Sequence, residues 1–373
     1  MKVFIDALGV SQVETGLSRY SLCLLAELVK DKSNLYCVLS NSDLPDNHAI
    51  FQLSQENVVF LRRDIPVLGP KRDLLYITLR KLIRGYDIYH CLASYLPLLG
   101  VPIASVVTVH DLKYYKYPTF LKSKIKSYYI KLVLYITLSR ADYLIAISKS
   151  TKKDIQSITT SKNKITVTYE ANTIKDKEAD VKVSLPSTLK GKRFYFFIGE
   201  NRPHKNIHRL LLSYQHILTF HKNNTPYLVI AGNGTDSHSL KNLVHELGVD
   251  KQVVLMGTID EDELIKLYKN AIALVFPSLY EGFGLPILEA MYFGLPVITS
   301  NKTSTVEVSG CSTLLCNPND VESIAQAMER VLIDNQLRAD LIEKGKIRER
   351  EFSWERASRE ILELYDYINK RKE

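Results

Sequence analysis

The sequence predicts an α/β protein built from two doubly wound parallel sheets. Three observations predict it. Strand-like and helix-like segments alternate from end to end, as they do where crossover helices join parallel strands. The chain has 373 residues, too many for one core of usual size, which points to two domains of ~100–200 residues. A charged, polar stretch without clear period, Asn172 to Leu189 with Pro186 near its end, interrupts the alternation, which then restarts. The expected partition is a first domain over 1–175, a linker over 176–190, a second domain over 191–352 and a last helix over 353–373.

In the first half, Val3–Leu8, Tyr36–Leu39, Val58–Leu61, Ile88–His90, Ile103–Val109, Tyr143–Ile147 and Ile165–Thr168 read as strands. Helical patterns cover Ser18–Lys30, Arg72–Arg84, Lys122–Ser139 and Ser150–Ser157. In the second half the strands are Phe194–Ile198, Tyr227–Ala231, Val253–Met256, Ile272–Phe276 and Val297–Thr299. Its helices are Asn206–His221, Ser239–Leu247, Glu261–Tyr268, Leu285–Phe293 and Val321–Asp334. The last segment, Trp354 to Lys370, carries an apolar helical stripe at Ile361, Leu362, Leu364, Tyr365 and Ile368. In such sheets ligands sit beyond the carboxyl ends of the strands, and a cleft between the two domains is expected.

Five stretches stand at strand ends. Gly9, Gly16, Ser18 and Arg19 precede the first helix; Gly16 suits close approach of a phosphate, and Ser18 suits an N-cap. His110-Asp111 ends the strand Ile103–Val109 and suits a proton relay, or a cap plus a partly buried ring. Arg202 and Lys205 lie at a helix start, where the dipole disfavours cations, so an anion held between them explains their place better than a solvated pair. Gly232-Asn233-Gly234 is a generic turn. The fifth stretch runs Pro277-Ser278-Leu279-Tyr280-Glu281-Gly282-Phe283-Gly284-Leu285-Pro286 into a helix carrying Glu289, eight positions after Glu281. Its glycines admit a ligand to the backbone, Pro286 suits the first helical turn, and the helix amino terminus favours an anion.

Asp260-Glu261-Asp262 has the form of a metal-binding D-x-D, but Glu263 three residues after Asp260 makes it a capping arrangement. No His/Cys cluster has zinc spacing and no P-loop is present. The five cysteines are odd in number and lack C-x-x-C spacing, as expected of reduced thiols in a cytoplasmic protein. No stretch reaches the ~18 apolar residues of a membrane span, and Met1–Leu8 reads as a strand rather than a signal core.

The net charge is +8, with 46% hydrophobic and 24% charged residues, an ordinary globular composition. The charge is uneven. Met1 to Lys175 holds 24 Lys and Arg against 14 Asp and Glu, and the remainder 25 against 27. A basic first half suggests an anionic partner. The segment Lys113 to Lys131 interleaves lysines with Tyr114, Tyr115, Tyr117, Tyr128 and Tyr129. That suits an anionic membrane surface, and nucleic acid is not expected.

Together these pieces resemble glycosyltransferase family 4, over nearly the whole chain. The resemblance is strongest from Phe194 to Pro318, at Gly16-Leu17-Ser18-Arg19-Tyr20 and at His110-Asp111. Its most specific element is Glu281-Gly282-Phe283-Gly284-Leu285-Pro286-Ile287-Leu288-Glu289, similar to the family's E-x7-E; Val306 stands where the family often has proline. The resemblance implies a GT-B fold of two facing Rossmann-like domains and a last helix crossing back to the first. It implies a retaining, metal-free transfer of a mannose-, rhamnose- or glucose-type hexose from a GDP- or UDP-linked donor, without a further cofactor. The acceptor would be a saccharide or lipid-linked oligosaccharide of bacterial surface polysaccharide, O-antigen or capsule, met at the inner face of the cell membrane.

By position, the resemblance places Glu281 and His110 at the donor sugar and Glu289 at the ribose. Backbone N–H groups around Gly282, Phe283, Gly284 and Leu285 would hold hydroxyls and phosphate. Arg202 and Lys205 would hold the departing diphosphate, and Gly16 would admit it from the first domain. A GT-B-like sugar-nucleotide epimerase, or a non-catalytic subunit of a polysaccharide assembly complex, are the alternative readings.

Overall fold

The computed structural model describes residues 1–12, 15–121, 123–159, 165–174, 185–220 and 225–371. Contacts divide the chain into two compact units, Met1–Thr173 with Phe352–Glu373, and Ile174–Glu351. Most of the expected linker lies outside the described residues, as do Lys122 and His221.

The first unit runs β1 (Lys2–Asp6), α1 (Gly16–Leu28), β2 (Leu35–Asn41), α2 (Ala49–Gln52), β3 (Val58–Arg63), α3 (Pro70–Ile83) and β4 (Ile88–Cys91). It continues with β5 (Ala104–Val109), α4 (Lys113–Lys116), α5 (Lys124–Arg140), β6 (Tyr143–Ala146), α6 (Lys149–Ile158) and β7 (Ile165–Val167). The strands form one parallel sheet in the order β3-β2-β1-β4-β5-β6-β7. Both faces are covered, which is why β1, β4 and β5 are near-continuous apolar runs. Tyr76, Leu79 and Ile83 of α3 and Ile130, Leu134 and Leu138 of α5 share one buried cluster with Tyr89, Val107 and Val109. The helices α3 and α5 therefore cover the same face of the sheet.

The second unit runs β8 (Phe194–Ile198), α7 (Ile207–Phe220), β9 (Tyr227–Ala231), α8 (His238–Glu246), β10 (Val253–Gly257), α9 (Glu261–Asn270) and β11 (Ala273–Phe276). Then come α10 (Leu285–Tyr292), β12 (Val297–Ser300), α11 (Ser304–Ser309), β13 (Leu314–Cys316), α12 (Val321–Ile333) and α13 (Asn335–Glu349). Its parallel sheet has the order β10-β9-β8-β11-β12-β13. Asp260 caps α9 in a full capping box with Glu263, as its spacing predicts.

The last helix, α14 (Trp354–Lys370), packs along α1 of the first unit. Its buried stripe of Trp354, Ile361, Tyr365 and Ile368 recurs at helical spacing. Trp354 Nε1 donates to Asn172 O at 3.1 Å and its ring meets Tyr20 edge-on. The Tyr365 hydroxyl lies 2.5 Å from His90 Nδ1, and His90 Nε2 lies 3.0 Å from Thr108 Oγ1. Burial lowers the His90 ring to about 3, so it is neutral at ordinary pH.

Candidate active site

A doubly wound sheet opens a crevice where the strand order reverses, at the carboxyl ends of its first and fourth strands. In the second unit these are β8 and β11, adjacent and parallel. Gly199 to Asn206 follows β8 and Pro277 to Gly284 follows β11. Topology thus brings two loops that are far apart in sequence to one place.

Asn206 staples them. It sits in the left-handed region at φ 63, which asparagine tolerates better than most residues. Its Nδ2 donates to Pro277 O at 3.0 Å and Pro318 O at 2.7 Å, while the Leu279 N–H donates to His204 O at 2.7 Å. Held this way, Lys205 Nζ lies 2.7 Å from Glu281 Oε1, the two side chains only 16% and 11% exposed. The ammonium also stands 4.8 Å from the centre of the Phe276 ring. Charges this far removed from water persist only as a pair. An ammonium carries three N–H donors, so Lys205 can keep Glu281 and still donate to an anion.

The β8 end depends on one close approach. A Cβ at Gly232 would lie 2.3 Å from Gly199 O, so only glycine fits there. The Glu281 loop is anchored from β12: its N–H donates to Thr303 Oγ1 at 3.2 Å, and Ser304 Oγ lies 2.9 and 3.0 Å from the Glu281 and Phe283 carbonyl oxygens. Gly284, at φ 108, opens α10 with Pro286 in the first turn and no side chain capping it. That leaves Gly282, Phe283, Gly284 and Leu285 at a helix end whose dipole favours negative charge.

Two predicted residues are placed differently from a simple convergence. Arg202 turns to Glu200, Nε to Oε2 at 3.1 Å, in a solvent-exposed pair. Glu289 is buried on α10, where its Oε2 accepts from the Tyr268 hydroxyl at 2.8 Å.

In the first unit His110 follows β5. Its Nε2 lies 2.8 Å from Leu92 O, and a carbonyl only accepts, so Nε2 carries a proton. Its Nδ1 is 3.4 Å from the buried Glu170 carboxylate, and Tyr20 packs edge-on at 4.6 Å. Both ring nitrogens thus have partners. Desolvation would raise the neighbouring Asp111, but the Lys113 ammonium at 3.1 Å and the Lys113 N–H outweigh it and lower its pKa. Gly16 is the first residue of α1; the cap is Thr15, which accepts from the Ser18 N–H, rather than Ser18. A Cβ at Gly16 would meet nothing within 4 Å, so packing does not require glycine there.

Glu170, Glu200 and Phe276 were not singled out in the sequence. Glu170 had a weak signal, a carboxylate just past the strand Ile165–Val167. The basic segment also changes: Lys113 pairs with Asp111 and Lys116 with Asp154, so neither is a free cation.

Residues 15–171 match a family model described as Glycosyltransferase Family 4, and residues 184–348 one described as Glycosyl transferases group 1. The chain is 29% identical to O-antigen chain mannosyltransferase B of Escherichia coli, over 99% of this chain and 100% of that protein. It is 28% identical to O-antigen chain mannosyltransferase RfbU of Salmonella typhimurium, over 89% and 90%. Among solved structures, sucrose-phosphate synthase from Thermosynechococcus elongatus aligns with a TM-score of 0.73 at 20% identity over 98% of both chains, a likeness of fold.

Proposed function

We propose that this chain, which belongs to the group 1, family 4 glycosyltransferases and has the GT-B fold, transfers a hexose with retention from a nucleotide-diphosphate sugar to a saccharide or lipid-linked acceptor. Polysaccharide assembly is the setting its relatives suggest, since those at 29% and 28% identity are named O-antigen mannosyltransferases. A mannose-type hexose on GDP is therefore the first donor to test, with UDP-linked hexoses after it.

The observation that carries this reading is the Lys205–Glu281 pair at the β8–β11 crevice, beside an uncapped helix end. Breaking the bond between the anomeric carbon and the diphosphate leaves negative charge on the phosphate oxygens. Lys205, the amino terminus of α10 and Arg202, once released from Glu200, stabilise that charge where it develops. The acceptor oxygen bonds to the same face of the sugar, and its proton passes to the departing phosphate oxygen. Glu281 keeps Lys205 in place and offers its second oxygen to sugar hydroxyls; the assignment of Glu289, buried against the Tyr268 hydroxyl, to the ribose rests on the resemblance. His110 and Gly16 belong to the first unit, and their part in donor binding rests on the resemblance alone. No step needs a metal or a further cofactor.

The test is release of nucleotide from GDP- and UDP-linked hexoses in the presence of chelator, with and without a synthetic lipid-linked saccharide. One donor should be consumed, faster with acceptor. A product of inverted anomeric configuration by NMR would remove the retaining step.

A further inference from the structure

Among the described residues two that are not glycine have a positive φ, Asn206 at 63 and Thr303 at 55. Both stand at the Lys205–Glu281 pair. Asn206 directly follows Lys205, and Thr303 Oγ1 accepts the Glu281 N–H at 3.2 Å. The two differ in strain. Asn206, at ψ 29, occupies the ordinary left-handed region, which asparagine tolerates. Thr303 has ψ −142, close to a region that is essentially reserved for glycine, and its β-branched side chain makes the conformation less favourable still.

Thr303 also forgoes the local role of its position. It stands at the N-cap of α11, where a threonine hydroxyl ordinarily accepts a first-turn N–H from an extended backbone. Here the hydroxyl caps nothing in α11 and turns to Glu281, 22 positions earlier. The next residue points the same way: Ser304 Oγ donates to Glu281 O at 2.9 Å and lies 3.0 Å from Phe283 O. One turn thus holds both the N–H and the carbonyl of Glu281.

The turn is itself fixed on both sides of Thr303. The Asn301 N–H donates to Cys316 O at 2.9 Å and the Lys302 N–H to Ser300 Oγ at 3.2 Å. Thr305 Oγ1 lies 2.7 Å from Ser300 O and 2.5 Å from Lys302 O. A strained residue persists where its surroundings over-determine it, and such residues gather at functional sites. Relaxing Thr303 into an ordinary well would swing its hydroxyl away from the Glu281 N–H.

We propose that Thr303 is a positioning residue for the transfer. Its strained backbone and its hydroxyl fix the Glu281 main chain, so that the carboxylate keeps Lys205 and meets the donor sugar in one geometry. The part that concerns the sugar rests on the proposed transfer; the hold on the Lys205–Glu281 pair does not.

Thr303→Ser, Thr303→Ala and Thr303→Gly separate the hydroxyl from the strain. Serine keeps the hydroxyl, alanine loses it and keeps the strained backbone, and glycine loses it and frees the backbone. In denaturant Thr303→Gly should be more stable than Thr303→Ala. In turnover the order should reverse, with Thr303→Gly down by about tenfold to a hundredfold, chiefly in kcat, and Thr303→Ser within about threefold of the parent. A merely structural residue would give activity that follows stability. A second measurement needs no sugar: the stability coupling between Lys205→Met and Glu281→Gln in a double-mutant cycle, run in the parent and in Thr303→Gly. That coupling should fall in Thr303→Gly. A fall in coupling with no donor consumed by the parent would remove the transfer reading and leave the positioning of Glu281 standing. An unchanged coupling, or Thr303→Gly turning over as fast as Thr303→Ala, would overturn the proposal.

Discussion

Lys205 Nζ and Glu281 Oε1 lie 2.7 Å apart although one residue follows β8 and the other β11. The pair is nearly closed to water, and its ammonium faces the Phe276 ring. Removing Lys205 deletes a cation placed at the crevice with little solvent competition. Lys205→Ala is expected to lower turnover by about 2–4 kcal/mol in barrier height, with the fold kept. Steady-state rates on the accepted donor check this; near-normal turnover would exclude Lys205 from leaving-group stabilisation.

Removing the carboxylate instead leaves the ammonium without its counter-charge. Glu281→Gln should therefore cost about 1–3 kcal/mol of stability in the second unit as well as activity. The Lys205→Met/Glu281→Gln double variant should regain most of that stability but none of the activity. Denaturant midpoints followed alongside rates would separate the two effects.

With the donor diphosphate at Arg202 as proposed, Glu200 would compete with it for the guanidinium. Their exposed pair is weak, so an incoming anion can displace it. Glu200→Gln is expected to lower the donor KM by up to about fivefold with little change in kcat. A raised KM would mean that Glu200 itself binds the donor.

Gly284 sits at φ 108 where α10 begins. A side chain there strains the backbone by about 1–2 kcal/mol and tilts the first-turn N–H groups. Gly284→Ala should raise the donor KM more than it lowers the denaturation midpoint. Unchanged donor binding would count against the helix end as part of the site.

His90 gives a pH dependence of stability. Burial holds its folded ring near 3, against an ordinary 6.5. The unfolded chain therefore binds more protons between those values, and stability is complete above 6.5 and falls as pH drops toward 3. This one group should cost about 2 kcal/mol between pH 6.5 and 5. Urea midpoints of the parent and His90→Gln across that window check it, the variant showing the shallower slope.

The fold was legible where burial writes itself into the residues. The strands Phe194–Ile198 and Tyr227–Ala231 are covered on both faces and so read as unbroken apolar runs. The strand Leu314–Cys316 was missed because it is a three-residue edge strand with only Cys316 buried. The helix Asn335–Glu349 was missed because its apolar residues do not gather on one face. In the site, Lys205 and Glu281 could each be named from local chemistry. Their pairing could not, since 76 positions separate them and only the strand order brings them together. The Glu200 partner of Arg202, two residues away, was not legible either, since cations at a helix start point to an external anion rather than to a local carboxylate.

The most direct test of the central claim is calorimetric titration of GDP and of UDP into the full chain in chelator, beside Lys205→Ala. One nucleoside diphosphate should bind without metal, and the variant should bind it about tenfold to a hundredfold more weakly, as expected for a lost charge-assisted hydrogen bond. Equal affinity in parent and variant would contradict the placement of the diphosphate at Lys205 and Glu281.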